Sequence, residues 1–178
     1  MNLTKEVVEI QLDLLLNFTR SLAYYRAIQQ DLELIGKNRS FWEYNMNAHY
    51  LRAITDWCIV FGADNNEAHW KKVSDGDGKK IMSEIRHLIT SSDNIKKNEW
   101  DVYHKKVIDF RNEYASHRNI SFSNNVPSLS KAYEVSNLYF DWLKEWLRPS
   151  TNEPKPLKDY FSEFQIEILE VLVNDLKK

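Results

Sequence analysis

The sequence predicts an all-α chain, an antiparallel bundle of about five to six helices. Three observations predict it. The 178 residues include only 4 Gly and 4 Pro, roughly a third of average usage, and a β-rich domain would need many more turn residues. All eight fall between stretches whose apolar residues recur every three or four positions, the period of a helix with one buried face. With 43% hydrophobic and 13% aromatic residues against 28% charged, the chain can bury a core of its own and is neither disordered nor low-complexity.

The first helix is expected over about residues 4–35, ending at Gly36. Its stripe is Val7, Ile10, Leu14, Phe18, Leu22, Tyr25, Ile28 and Leu32. Ser40-Phe41-Trp42-Glu43 reads as a capping box, hydroxyl and carboxylate each satisfying a free backbone N–H. The second helix then ends at Phe61-Gly62, where glycine is expected to adopt the left-handed C-cap conformation. A short helical piece near 66–73 leads to the turn Ser74-Asp75-Gly76-Asp77-Gly78. Further helices are expected over about 79–90, 98–116, 131–147 and 157–176. Polar loops at 119–130 and 148–156 separate the last three, the second loop carrying three prolines. The final helix shows an amphipathic face of Tyr160, Phe164, Ile168 and Val171. Residues 1–178 therefore read as one domain, with 157–178 a C-terminal helix after a Pro-rich loop. Twenty residues are too few for a second domain, so this helix packs on the bundle or on a second subunit.

Charge and cysteine content narrow the setting. The net charge is −2, yet His69 to Arg118 holds 11 Lys and Arg against 8 Asp and Glu. A polyanion would meet the middle of the chain before its ends, although a mixed, solvated surface accounts for the same numbers. The single cysteine, Cys58, excludes an internal disulfide and fits a reducing compartment. No apolar run reaches the roughly 18 residues of a membrane span, and the amino terminus lacks a signal-peptide core. A cytoplasmic location is expected, with no membrane association.

Several chemistries find no support. Asp75-Gly76-Asp77-Gly78 begins like a calcium loop, but Lys79 and Lys80 stand where an oxygen ligand and a glycine are required. The stretch reads as a solvated turn. His49, His69, His87, His104 and His117 show neither HExxH spacing nor a companion Cys pair. No metal and no cofactor are therefore expected. Cys58, between Trp57 and Ile59, reads as a small core hydrophobe.

The informative stretch is the fourth helix and its exit. Trp100, Tyr103, Val107, Phe110 and Tyr114 form its buried stripe, beside Arg111-Asn112-Glu113-Tyr114-Ala115-Ser116-His117. That segment resembles the Arg-x(4–6)-His signature of HEPN domains, all-helical modules many of which are ribonucleases. Asn112 stands where the signature commonly has a polar residue. Asp56 to Gly62, with His69-Trp70-Lys71, is similar to the abortive-infection, U-type branch.

The resemblance implies a metal-independent endoribonuclease in bacterial anti-phage defence or a toxin–antitoxin setting. RNA carries its own nucleophile, the 2′-hydroxyl beside each phosphodiester. Cleavage then needs a group that moves protons near neutral pH and a cation for the phosphate, as imidazole and guanidinium supply. By resemblance His117 is the general acid/base, Arg111 holds the phosphate, and Asn112 orients substrate or imidazole. Arg118 and Lys105 are expected to contact RNA. Six residues of ideal α-helix rotate 600°, leaving Arg111 and His117 about 120° apart. Either the helix ends near Ser116, or two subunits complete one pocket, which agrees with the homodimers of the family. An antitoxin or other regulatory protein is a further expected partner. Some family toxins are adenylylated on a tyrosine two residues after the histidine, but Asn119 stands there.

Two other readings stay open. The chain could be a non-catalytic HEPN-like helical module that binds a protein partner or a nucleotide. Alternatively His117 caps the core's edge, with Arg111 paired to Asp101, Asp109 or Glu113.

Overall fold

The computed structural model describes residues 3–34, 38–74, 78–90, 97–116, 125–147 and 154–176. Among them stand six α-helices and no strand. They are α1 (Lys5–Asp31), α2 (Arg39–Phe61), α3 (Gly78–Thr90), α4 (Lys97–Phe110), α5 (Ser130–Leu147) and α6 (Leu157–Leu176). Short 3-10 turns follow α1 at Leu32–Leu34 and precede α3 at Trp70–Lys72. The predicted all-helical class is the observed one.

The longest helix organises the others. α1 lies against α2, α5 and α6, and α3 packs on α5. Trp57, Tyr139, Phe18, Phe61 and Phe140 are the largest fully buried side chains, each contributing about 1.5–3 kcal/mol by leaving water. α2 and α4 run antiparallel: Tyr50, midway along α2, meets Phe110 at the end of α4. Trp57, later in α2, meets Trp100 and His104 near the start of α4. A second cluster of Ala27, Ile28, Trp42, Ile168 and Leu172 seats α6 on its own bundle through α1 and α2.

Four local expectations need correction. The α1 stripe is out of phase at its start: Ile10 is 50% exposed, while Val8, Gln11 and Leu15 are buried. The reason is tertiary, because the loop after α2 lies across that face and Leu3 and Thr4 pair with Ser74 and Val73. In α6, Val171 is exposed and Leu172 takes the core position. The capping box does not form. α2 begins at Arg39 after Asn38, and Arg39 engages the Glu43 carboxylate at 2.9 Å and Glu33 at 3.2 Å. Gly62 is not left-handed either, with φ −85° and ψ −117°. Its need for glycine is one of space, since a Cβ there would lie 2.2 Å from the Cys58 carbonyl oxygen. The calcium-like stretch Asp75-Gly76-Asp77 falls outside the described residues.

One buried polar side chain ties three segments together. Gln11, in mid-α1, donates from Nε2 to the carbonyls of Ala68 (3.2 Å) and His69 (3.1 Å). Its Oε1 accepts from the Tyr139 hydroxyl of α5 at 2.6 Å. Both Gln11 and Tyr139 are wholly buried, so an unmatched partner would carry its full desolvation cost. Two outcomes are expected. Gln11→Leu destabilises the fold by about 2–4 kcal/mol in urea titration, and adding Tyr139→Phe recovers part of that loss because one stranded hydroxyl disappears. Gly62→Ala costs about 1–3 kcal/mol in the same measurement, through backbone displacement at the end of α2.

Candidate functional site

The fourth helix holds its stripe to Phe110, with Val107 and Phe110 buried and Trp100 and Tyr103 partly buried against the core. From Arg111 to Ser116 the backbone winds as a π-helix. Such widened turns are rare and occur frequently at functional sites. Across the widened turn the rings of Phe110 and Tyr114 stay 5.0 Å apart at 30°.

Arg111 is half-buried, and its Nε is enclosed with no hydrogen-bond partner among the described residues. Its guanidinium lies beside the Cys58 thiol of α2. Cys58 is buried, as expected of a core hydrophobe. Burial pushes the thiol up to about 11, against the opposing pull of Arg111. Arg111 makes no ion pair with Asp101, Asp109 or Glu113 among the described residues, and the Asp109 carboxylate is held by Lys105 at 2.6 Å. Lys105 itself is 75% exposed on the outer face of α4. Asn112 is half-buried in the π-turn. His117 and Arg118 lie outside the described residues, so the motif is seen here through Arg111 and Asn112 alone.

Two cavities flank α4. One, of about 510 Å³, opens beside the π-turn between Tyr25, Tyr44, Tyr50, Phe110, Tyr114 and Val126. Tyr50 donates its hydroxyl to the Pro127 carbonyl, while Tyr44 is three-quarters exposed. Phe110 and Tyr114 belong to the segment that carries Arg111, the other rings come from α1 and α2, and Arg111 does not itself line this cavity. The exposed Tyr44 presents a flat face of the kind on which planar groups stack.

The other cavity, of about 480 Å³, lies where the end of α2, the following loop, the last turns of α3 and the first turn of α4 converge. Phe61, Trp70 and Trp100 supply its aromatic walls, and its polar groups include Asp64, Lys71, Arg86, His87, Asp101 and His104. The inner residues are tightly held. His69 accepts the Lys71 backbone N–H on Nδ1 at 3.2 Å and turns Nε2 toward Asp64 at 3.5 Å. Lys71 pairs with the same Asp64 carboxylate and sets its Nζ 5.6 Å from the Trp70 ring. His104 meets the Phe61 carbonyl through Nε2 and packs on Trp57 and Trp100. Sequence reasoning missed this cavity. The available signal was the Trp100–His104 pair at i and i+4 on one face of α4, together with His69-Trp70-Lys71, noticed only as part of a resemblance. Among the described residues no cluster of three or more His, Cys, Asp or Glu is placed to hold a metal ion, and no helix is long and apolar enough to cross a membrane.

No protein-family model, no curated protein and no solved structure matches the chain.

Burial drives His69 down to about 4 from its ordinary 6.5. The folded chain thus keeps this imidazole neutral at pH values where the unfolded chain protonates it. The associated stability is complete above about pH 6.5, declines as pH falls below that value, and is lost by about pH 4, with a ceiling of about 3 kcal/mol. Urea titrations at pH 7 and pH 5 should show wild type losing more stability than His69→Gln over that interval; equal losses would remove His69 as the cause.

Proposed function

We propose that the chain is a metal-independent endoribonuclease of the HEPN type, working as a cytoplasmic homodimer in bacterial anti-phage defence or a toxin–antitoxin setting. The observation that carries this reading is Arg111. It is the motif's cation, it stands at the start of a π-turn, its Nε has no partner among the described residues, and an aromatic cavity opens along the same turn. A guanidinium offers phosphate oxygens a planar fork, and an exposed ring such as Tyr44 offers a base a stacking face.

In this scheme one His117 takes the proton of a 2′-hydroxyl as its oxygen attacks the adjacent phosphorus. The P–O5′ bond breaks, and the partner's His117 returns a proton to the departing 5′-oxygen, leaving a 2′,3′-cyclic phosphate. Arg111 offsets the charge gathering on the phosphate oxygens, a role its permanent charge and planar fork suit. Asn112 orients substrate or imidazole, and Lys105 and Arg118 hold the RNA backbone on either side. An antitoxin or regulatory protein would restrain the activity. The packing of Arg111 against Cys58 favours a second reading, in which the chain is a non-catalytic HEPN-like module that binds a protein partner or nucleotide.

Purified protein incubated with total RNA distinguishes the two. Cleavage is expected with and without EDTA, and His117→Ala and Arg111→Ala, verified as folded by circular dichroism, should cut about 10²–10⁴-fold more slowly. Folded variants that cut at the wild-type rate would remove both residues from the mechanism. A wild-type protein that leaves RNA intact would give the second reading precedence.

A further inference from the structure

The cavity between the ends of α2, α3 and α4 is separate from the motif, since neither Arg111 nor Asn112 lines it. Its charges decide what it can hold. Lys71 and Asp64 neutralise each other in a direct ion pair. His69 is buried and engaged through both ring nitrogens. That leaves Arg86 in α3 and Asp101 in α4, neither of which makes an ion pair among the described residues, with His87 beside Arg86. Both are exposed and stand at the rim, above walls formed by Trp70, Trp100 and Phe61. The cavity therefore offers one guanidinium, one carboxylate and an aromatic interior. A dianionic ligand would find, among the described residues, one free guanidinium for its two charges and meet the Asp101 carboxylate as well, and a purely cationic one would face Arg86.

We propose that this cavity binds a free aromatic α-amino acid, its ring against Trp70 and Trp100, its carboxylate on Arg86 and its ammonium on Asp101. The volume falls within the range of small-ligand pockets, which are mostly apolar with a few placed polar groups. A planar ring gains from stacking or edge contact with the indoles. The carboxylate matches the fork of a guanidinium, the geometry that makes such pairs bidentate. His104, whose Nε2 is committed to the Phe61 carbonyl, holds the Trp100 ring at 5.4 Å and acts as a positioning residue for that wall. A zwitterion presents both complementary charges to the one opening that Arg86 and Asp101 share.

Isothermal titration calorimetry of the full chain with L-tryptophan and L-phenylalanine tests this directly. Binding with a Kd of about 0.1–1 mM is expected for so small a ligand. Tryptamine, which lacks the carboxylate, and indole-3-propionate, which lacks the ammonium, should each bind at least tenfold more weakly. Arg86→Ala should abolish the preference for L-tryptophan over tryptamine, and Asp101→Ala the preference over indole-3-propionate. Arg111→Ala should leave binding unchanged, which keeps this result independent of any effect on RNA cleavage. The proposal is overturned if neither amino acid binds at 10 mM. It is equally overturned if adenosine monophosphate binds more tightly than either, or if folded Arg86→Ala and Asp101→Ala variants keep wild-type preferences.

Discussion

A single carboxamide decides where the loop after α2 can lie. Gln11 sits on the buried face of α1, and its three bonds run to two distant parts of the chain: two adjacent loop carbonyls and the α5 hydroxyl of Tyr139. Because the site is dry, an alternative loop path would leave several polar groups without water or protein partners. The loop's position then fixes His69 and Trp70, and through Lys71 and Asp64 it closes one side of the cavity at the ends of α2, α3 and α4. The arrangement of that cavity is thus inherited from a contact made within the core.

The opposite end of α4 is governed by packing against α2. Tyr50 and Phe110 cross edge to face at 5.8 Å, and Phe110 and Tyr114 remain neighbours although the helix widens between them. Arg111 is carried inward by the same turn and lies against Cys58 instead of projecting to the acidic residues of its own helix. A guanidinium in such a place keeps its permanent charge while its Nε is shut away from water without a partner among the described residues.

Much of this architecture was legible from residue order, and the exceptions have physical causes. The ends of α3, α5 and α6 follow Gly, Pro and apolar period to within a residue or two. The phase of α1 was not legible, because Gln11 is polar and its burial depends on partners 57, 58 and 128 residues away. Ser40 and Glu43 have the spacing of a capping box, yet Arg39 competes for the carboxylate one turn away. Gly62 was correctly marked as a helix end for a different reason, since close approach to a carbonyl rather than handedness excludes a side chain. The π-turn leaves no composition signal, because each residue in it is an ordinary helix former or cap. The cavity at the ends of α2, α3 and α4 is not legible because its walls come from four segments that periodicity treats one at a time. Arg111 and Asn112, the two motif residues the structure describes, lie in the π-turn; His117 and Arg118 belong to residues the structure does not describe.

The chain's one thiol has a practical corollary. Cys58 is enclosed and its sulfur is held in the protonated form at neutral pH, and thiolate is the species that alkylates. A cysteine engineered onto any exposed helix face would accordingly be the preferred handle for a maleimide dye or nitroxide, with no need to delete the native one. Pairs of such handles on α3 and α4 would let distance measurements follow the mouth of the buried cleft in solution.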